Sequence, residues 1–329
     1  MEEKIKVYVS KDIDTMLTKD ADFFEFCKKD RSLNRNDFIN TLIVNYFDSY
    51  AQADNALTGK LEEVLSGRLS DAQDLSLISG EMLNAVKDYQ YSSSDRKAEV
   101  TISVKPTRKS AGVIDYIQSS CLTDISLSGY FRNMFASYCS LPQDRREEII
   151  FKEKFETVSR AISEGRMIYF TTNKSTERHE AAPYAIARSQ EELFNYMICY
   201  YNGQPFSFRM TRLQNVRVLN KTAVIPEDTQ TLLEKMRSAP QFAYNKTTEI
   251  CVMLSERGQK LFNRIYSYRP RPTNIIKGLY YFDCSEEQIF QYFFRYGSNA
   301  RVIYPESLRL QMQKAYANAA EVYAGERKM

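Results

Sequence analysis

Arginine, tyrosine and a single histidine are the residues through which this 329-residue chain could act on another molecule. In FSFRMTRL, Phe206 and Phe208 share one side of an alternating strand, so Arg209 points to the other, with Arg212 following closely. Tyr196 lies in NYM ahead of them, and Arg178 and His179 stand together in STERHE. Guanidinium groups fork onto phosphate oxygens, and a flat phenol ring gives a base a stacking surface, so the chemistry on offer is adhesion to a flexible polyanion. Plain packing of Tyr196 and a plain surface position for His179 are open alternatives. YSYRPRPTN adds a second basic aromatic patch, Tyr268, Arg269 and Arg271, unless its two prolines merely stiffen a solvated linker.

Covalent chemistry lacks its parts. Acyl transfer needs a nucleophile beside a base, yet there is no GxSxG, and the sole histidine falls in a charged turn. No Walker loop or GxGxxG stands ready to cradle a nucleotide, and the carboxylates form no recognisable nuclease or glycosidase motif. The six cysteines, Cys27, Cys121, Cys139, Cys199, Cys251 and Cys284, include no CxxC and sit in apolar contexts, as reduced core thiols do. One histidine argues against a Cys/His zinc site. These absences point to a non-enzyme without metal or cofactor, in a reducing, cytoplasmic compartment. The charged opening MEEKIK is unlike a signal peptide, and no apolar run approaches the ~20 residues of a membrane span.

Charge is divided unevenly. Residues 1–150 hold 19 Lys and Arg against 24 Asp and Glu, a net of −5, whereas residues 151–329 hold 26 against 18, a net of +8. A polyanion is drawn mainly to the second half.

Two copies of one pattern fill the first half. KIKVYV alternates Ile5, Val7 and Val9 against Lys4, Lys6 and Tyr8, which predicts a half-buried strand. Ser10 then caps a helix carrying Ile13, Leu17, Phe24 and Cys27, and FINTLIVNYF forms a second, with Phe38, Ile39, Leu42, Ile43 and Tyr46 at helical spacing. AEVTISV repeats the strand, setting Val100, Ile102 and Val104 against Thr101 and Ser103. Pro106 opens the next helix, through Val113, Ile117 and Cys121, and Tyr130, Met134, Phe135 and Tyr138 match Phe38, Leu42, Ile43 and Tyr46 at one constant offset. A lone strand has to pair, so the copies should close on each other. Between them, Leu57, Leu61 and Leu65, then Leu75, Ile78, Met82, Val86 and Tyr89, form two helical stripes, read as a clasp packing on this module, before a loop at YSSSDRK.

From about residue 151 the punctuation changes. A short amphipathic helix, FETVSRAISEGR, leads into five strand-like runs, RMIYFTT, NKSTERH, AAPYAIAR, ELFNYMICYY and FSFRMTRLQNVRVLN, the pattern of a small closed barrel. The remainder alternates the strands EICVMLS, KGLYYFDC and NARVIY with helices, as a small α+β layer does.

Strand, helix, turn, helix of this size resembles the ribbon-helix-helix family, here as an intrachain pseudo-dimer. That resemblance implies that the outward residues Lys4, Lys6, Tyr8, Thr101, Ser103 and Lys105 can enter a DNA major groove, with phosphates at the helix N-termini near Asn34 and Ser126. The acids Asp12, Asp14, Asp20, Asp22 and Glu25 of the first helix favour instead a structural cap. The middle stretch resembles a WYL domain, an Sm/SH3-like β-barrel: Asn195-Tyr196-Met197 stands for the Trp-Tyr-Leu run, and Phe208-Arg209-Met210-Thr211-Arg212-Leu213 for the family's FRLDRI, both arginines kept and the aspartate lost. Pro183 follows Arg178 and His179 as the family's proline follows a basic strand entry. FFRYGSNARVIYPESLR, through Gly297, Ala300, Val302, Pro305, Leu308 and Arg309, resembles the ferredoxin-like C-terminal extension with which WYL proteins dimerise.

The implied organisation is multidomain α+β: a ribbon-helix-helix first half over 1–50, a helical linker or clasp over 51–97, the second half over 98–150, a WYL barrel over 151–225 and the dimerising extension over 226–329. As a whole this resembles the WYL-domain accessory proteins of type VI-D CRISPR systems. The resemblance implies a homodimer that binds single-stranded RNA and stimulates an RNA-guided, RNA-targeting nuclease. Arg178, His179, Tyr196, Arg209 and Arg212 would then face one basic groove, with Arg269 and Arg271 extending the track. The alternative is a ligand-responsive transcriptional regulator that binds duplex DNA through the ribbon. A purely structural adaptor would bind no nucleic acid.

Overall fold

Alternation in KIKVYV and AEVTISV becomes a two-stranded antiparallel ribbon, β1 (Ile5–Val9) against β2 (Val100–Val104). The computed structural model describes residues 4–69, 71–90, 99–122, 125–173, 175–242 and 249–325. The chain divides into two compact units, residues 1–152 and 153–329. In the first, the ribbon register is two-fold symmetric about Val7 and Ile102, since Ile5 faces Val104 and Val9 faces Val100. Val7, Val9, Ile102 and Val104 are buried, and Lys4, Lys6, Tyr8, Thr101, Ser103 and Lys105 are exposed, as period two demands.

Helices α1 (Lys11–Phe23) and α2 (Arg35–Ser66) follow β1, capped by the side chains of Ser10 and Asn34. After α3 (Ala72–Gln90) and β2, the order repeats in α4 (Arg108–Ser120), capped by Thr107, and α5 (Leu127–Ser140), capped by Ser126. Phe38, Leu42, Ile43 and Tyr46 of α2 meet Tyr130, Met134, Phe135 and Tyr138 of α5 in one aromatic core, with Phe38 and Tyr138 rings 6.3 Å apart and Tyr50 and Tyr130 rings 5.6 Å apart. The halves are chemically unequal. On one side the buried Asn40 amide donates to the Asn36 and Lys105 carbonyls and accepts from the Thr107 N–H and the Ser110 hydroxyl. On the other, Asp20 accepts a fork from Arg146 and a bond from the Tyr138 hydroxyl.

Three features depart from the sequence expectations. Helix α2 runs unbroken through residue 50, because nothing between Asp48 and Leu57 stops a helix, and α3 returns along it. Val64, Leu77 and Met82 of this hairpin are 75%, 58% and 40% exposed, while Leu57, Leu61, Leu65, Leu75, Ile78 and Val86 of the expected stripes are half-buried. Helix α6 (Gln143–Ile150) carries no strong apolar stripe and was not foreseen. The first helix ends before Cys27, which lies in an exposed turn bridged to Leu33; Cys199 and Cys251 alone are buried, and all six thiols are free. The loop at 91–97 and the side chain of Tyr89 lie outside the described residues.

In the second unit α7 (Lys152–Ser163) buries Phe155, Val158 and Ala161, and five antiparallel strands follow: β3 (Arg166–Thr172), β4 (Ser175–Arg188), β5 (Asn195–Tyr201), β6 (Gln204–Arg209) and β7 (Leu213–Thr222). Two expected strands merge into the 14-residue β4, whose register shifts at Pro183, where no N–H is present to join a ladder. The last expected strand is instead cut in two by a 3-10 turn, Met210–Arg212. The spatial order is β6-β5-β4-β3-β7, so β6 and β7 are edges and the ladder does not close into the expected barrel. The turn carries the chain from one edge to the other without pairing them.

Helix α8 (Glu227–Met236) lays Leu233 and Met236 on Ala187 and Ile198 of the sheet. Then β8 (Ile250–Leu254), α9 (Glu256–Arg264), β9 (Pro272–Ile276), β10 (Leu279–Phe282), α10 (Glu286–Phe294), β11 (Ala300–Tyr304) and α11 (Glu306–Tyr323) form a four-stranded antiparallel sheet in the order β11-β8-β10-β9, with a core through Val252, Phe262, Phe282, Tyr292, Phe293 and Leu308. Strand β9 was hidden in the sequence inside a proline-rich loop. Among the described residues no helix is long and apolar enough to cross a membrane.

Candidate nucleic-acid interface

Tyr196 and Arg209 are direct cross-strand partners on β5 and β6 and so share a face, the one that α8 covers at Ile198. Arg209 projects away from Phe206 and Phe208, as alternation requires, and its guanidinium lies over the ring of Phe194. The Tyr196 hydroxyl donates to Glu192, and Arg212 approaches the same phenol from the 3-10 turn. Both arginines are half-buried, and Arg212 Nε has no hydrogen-bond partner among the described residues. Glu192 and Phe194 belong to the loop between β4 and β5, although the sequence pattern sets them in the strand-like run ELFNYMICYY, and neither was read as part of the site. Burial first, and then the Glu192 carboxylate, hold the Tyr196 phenol well above the ordinary tyrosine range against the opposing pull of the two guanidiniums.

The same loop ties this cluster to the second basic patch. Glu191 accepts from the Tyr268 N–H at 2.9 Å, and the Tyr268 ring packs against Phe242 at 5.9 Å. Arg269 lies over Tyr266 at 4.5 Å and donates to the Phe262 carbonyl at 3.3 Å, while Arg271 is exposed. Arg295, at the C-terminus of α10, stacks on Tyr292 and donates to its carbonyl, a cation the sequence reading passed over although a helix C-terminus favours one.

Arg178 and His179 do not join this group, and the single groove holding all five residues is corrected accordingly. His179 lies in β4, not in a turn, and stacks on Phe170 at 5.3 Å beside Phe208, on the face Arg209 leaves. Arg178 turns the other way, over Tyr169 at 6.0 Å, at the opposite end of β4 from Ala187, the ladder partner of Tyr196. Neighbours in a strand cannot share a face, which separates Arg178 from His179 and Phe208 from Arg209 alike.

On the ribbon, Lys6 faces Ser103 and Tyr8 faces Thr101, and all six outward residues present side by side. Asn36 fixes the Lys105 backbone through both its amide atoms. At the N-termini of α2 and α5, the Asn34 and Ser126 side chains accept from the Asp37 and Gly129 N–H groups. Among the described residues no group of His, Cys, Asp and Glu could hold a metal ion.

Tyr196 offers a direct titration. With its folded pKa raised above the ordinary tyrosine value of about 10, its neutral, hydrogen-bonded form stabilises the fold fully below that pH, and the contribution is lost as pH rises through the folded pKa. An alkaline absorbance titration should show one fewer late-ionising tyrosine in Tyr196→Phe, and an unchanged count would refute the burial of its phenol together with the Glu192 contact.

Fold and surfaces together define a mixed α+β protein with basic, ring-bearing faces. No family model matches the chain, and no curated protein matches its sequence. Among solved structures it is similar to one described as the crystal structure of a CRISPR Cas-related protein, at 19% identity and a TM-score of 0.70, covering 100% of this chain and 96% of that one. At that identity the likeness is one of fold. A second, proteasome accessory factor B/C (PafBC) of Arthrobacter aurescens, aligns at 13% identity over 80% of this chain and 45% of its own, with a TM-score of 0.28, too loose to argue from.

Proposed function

We propose that this protein is a non-enzymatic accessory of a CRISPR system that binds single-stranded RNA and stimulates an RNA-guided, RNA-targeting nuclease. The observation that carries the reading is the Tyr196, Arg209 and Arg212 cluster, linked through the Glu191–Glu192 loop to Tyr268, Arg269 and Arg271. Guanidiniums held against rings suit a chain that offers phosphates and unpaired bases together. The end-to-end likeness to a CRISPR Cas-related protein supports the system. Topology supports the parts: a two-fold ribbon flanked by helix pairs fits a ribbon-helix-helix pseudo-dimer, the five-stranded sheet fits an opened WYL-type barrel, and β-α-β-β-α-β with its antiparallel order fits a ferredoxin-like extension. As a homodimer the chain would present two such surfaces, and one RNA reaching both would gain avidity.

Binding of single-stranded RNA and duplex DNA across a salt series tests this. Arg209→Ala with Arg212→Ala should weaken RNA binding roughly 10- to 100-fold, as loss of charge-assisted bonds does, and flatten the slope of log affinity on log salt by about 0.7 per phosphate released. Lys4→Ala with Lys6→Ala should leave RNA binding unchanged. Wild-type affinity in the arginine pair would sink the proposal. One observation favours a second reading: the exposed ribbon face with Lys4, Lys6 and Lys105 beside Thr101 and Ser103 has the form of a duplex-DNA reader. A regulator of that kind would show duplex preference and the reverse mutational pattern.

A further inference from the structure

Four aromatic rings and the chain's only imidazole gather on the face of the five-stranded sheet that Arg209 leaves. Phe170, wholly buried, is the floor. Phe208 stands 4.8 Å from it and 4.7 Å from Phe206, and Tyr201 closes the ring at 5.3 Å from Phe208. His179, Tyr201, Phe206 and Phe208 are each only half-buried. Strand β6, which carries both rim phenylalanines, is an edge of its sheet.

Polar atoms in this nest are few and directional. His179 Nδ1 is joined to the Tyr201 hydroxyl at 2.7 Å, which fixes the imidazole plane, while Nε2 has no hydrogen-bond partner among the described residues. The adjacent guanidiniums, Arg178 and Arg209, turn to the opposite face. Neither of these two guanidiniums is thus offered to a phosphate in the nest, and an aliphatic ligand would leave the imidazole nitrogen unused. What fits half-exposed rings and one in-plane hydrogen-bonding atom is a flat heteroaromatic ligand with polar edges.

We propose that His179, Tyr201, Phe206 and Phe208 form a base-stacking subsite for a single unpaired nucleobase, whose edge bonds to His179 Nε2. The inference rests on the RNA-binding reading above and gives it a second element. Because Phe208 and Arg209 are successive residues of an edge strand, the two faces meet along β6. A single strand crossing that edge sets its backbone toward Arg209 and Arg212 and its base against the rings. A duplex, whose bases are stacked inside, cannot use the subsite.

The test uses untagged full-length protein and two single-stranded RNAs of equal length, one intact and one abasic throughout. With ¹³C-labelled histidine the chain gives one imidazole Cε1–H signal, since His179 is its only histidine. Intact RNA should shift that signal by ring current, and abasic RNA should not. Phe206→Leu and His179→Ala should each weaken intact RNA roughly 10-fold, the size of one stacked base, and leave abasic RNA bound as before, which also shows that they are folded. If the wild type binds intact RNA with its imidazole signal unmoved, the subsite is wrong while the RNA reading stands. If the wild type binds neither RNA, the RNA reading falls and takes the subsite with it. A variant that loses abasic binding as well has lost its fold, and the wild-type spectrum then decides.

Discussion

Asp20→Ala is expected to cost about 3–5 kcal/mol of folding stability, the usual penalty for stripping one partner from a buried ion pair. The Asp20 and Arg146 side chains are only 5% and 9% exposed, and Arg146 bonds to both carboxylate oxygens, through Nε at 2.6 Å and through a terminal nitrogen at 3.1 Å. Its other terminal nitrogen reaches the Leu141 carbonyl at 2.6 Å, and Tyr138 donates its hydroxyl to Asp20 at 2.9 Å. Burial, with Asp20 behind it, holds the Tyr138 phenol far above the ordinary range, so the tyrosine serves as a donor and not as a competing charge. Among the described residues, alanine at position 20 leaves the buried guanidinium with the Leu141 carbonyl as its hydrogen-bond acceptor and the Tyr138 ring beside it. Against a whole-domain stability on the order of 5–15 kcal/mol, that loss is a large fraction. Urea denaturation measures it. The companion Asp20→Leu with Arg146→Met should recover most of the loss, since replacing both charges removes the desolvation cost together with the attraction. A single-variant loss under about 1 kcal/mol would show the pair to be hydrated and the account mistaken.

Asp20 also marks a limit of what a sequence reveals. It sits in an acid-rich helix where every carboxylate reads as solvated surface, and its partner lies 126 positions away. Asp14 is likewise paired, with Arg35, so part of the acidity that argued against a phosphate-facing module is neutralised within it. Local rules carried much of the rest. Period two assigned every exposed ribbon residue, Ser10 as cap placed the start of α1, and α2 and α5 begin near Asn34 and Ser126 as expected. The same parity rule, applied to the strand-like run NKSTERH, separates Arg178 from His179. The polar residues of STERHE fall at the outer end of the β3–β4 hairpin, away from the core that normally imposes alternation. Edges were the other blind spot: β9 is exposed along most of its length, and the missing ladder between β6 and β7 depends on where distant strands end. Glu192 and Phe194, which flank the basic cluster, lie in the loop between β4 and β5, although the run ELFNYMICYY reads as strand.

Gly258→Ala should destabilise the protein by about 3 kcal/mol, against the general rule that alanine improves a helix over glycine by roughly 1 kcal/mol. Gly258 lies in the first turn of α9, where its N–H donates to the capping Ser255 hydroxyl at 3.1 Å. The backbone carbonyl of Asn299 comes down on that turn and accepts from the Ser255 N–H at 3.1 Å, and a Cβ at position 258 would meet its oxygen at 2.2 Å. No rotamer relieves such a contact, because the obstructing atom is backbone. Relief requires moving the 297–299 turn, and with it the start of β11, whose Ala300 pairs with Leu254 just ahead of α9. Gly112→Ala in α4 is the matched control: nothing lies within 4 Å of its Cβ, so only the helix-propensity gain of about 1 kcal/mol should appear. Thermal or urea unfolding of the two variants side by side should give opposite signs. Equal stabilisation would mean that α9 and the Asn299 carbonyl do not approach as closely as described, and a loss in both would point to propensity failing in this host.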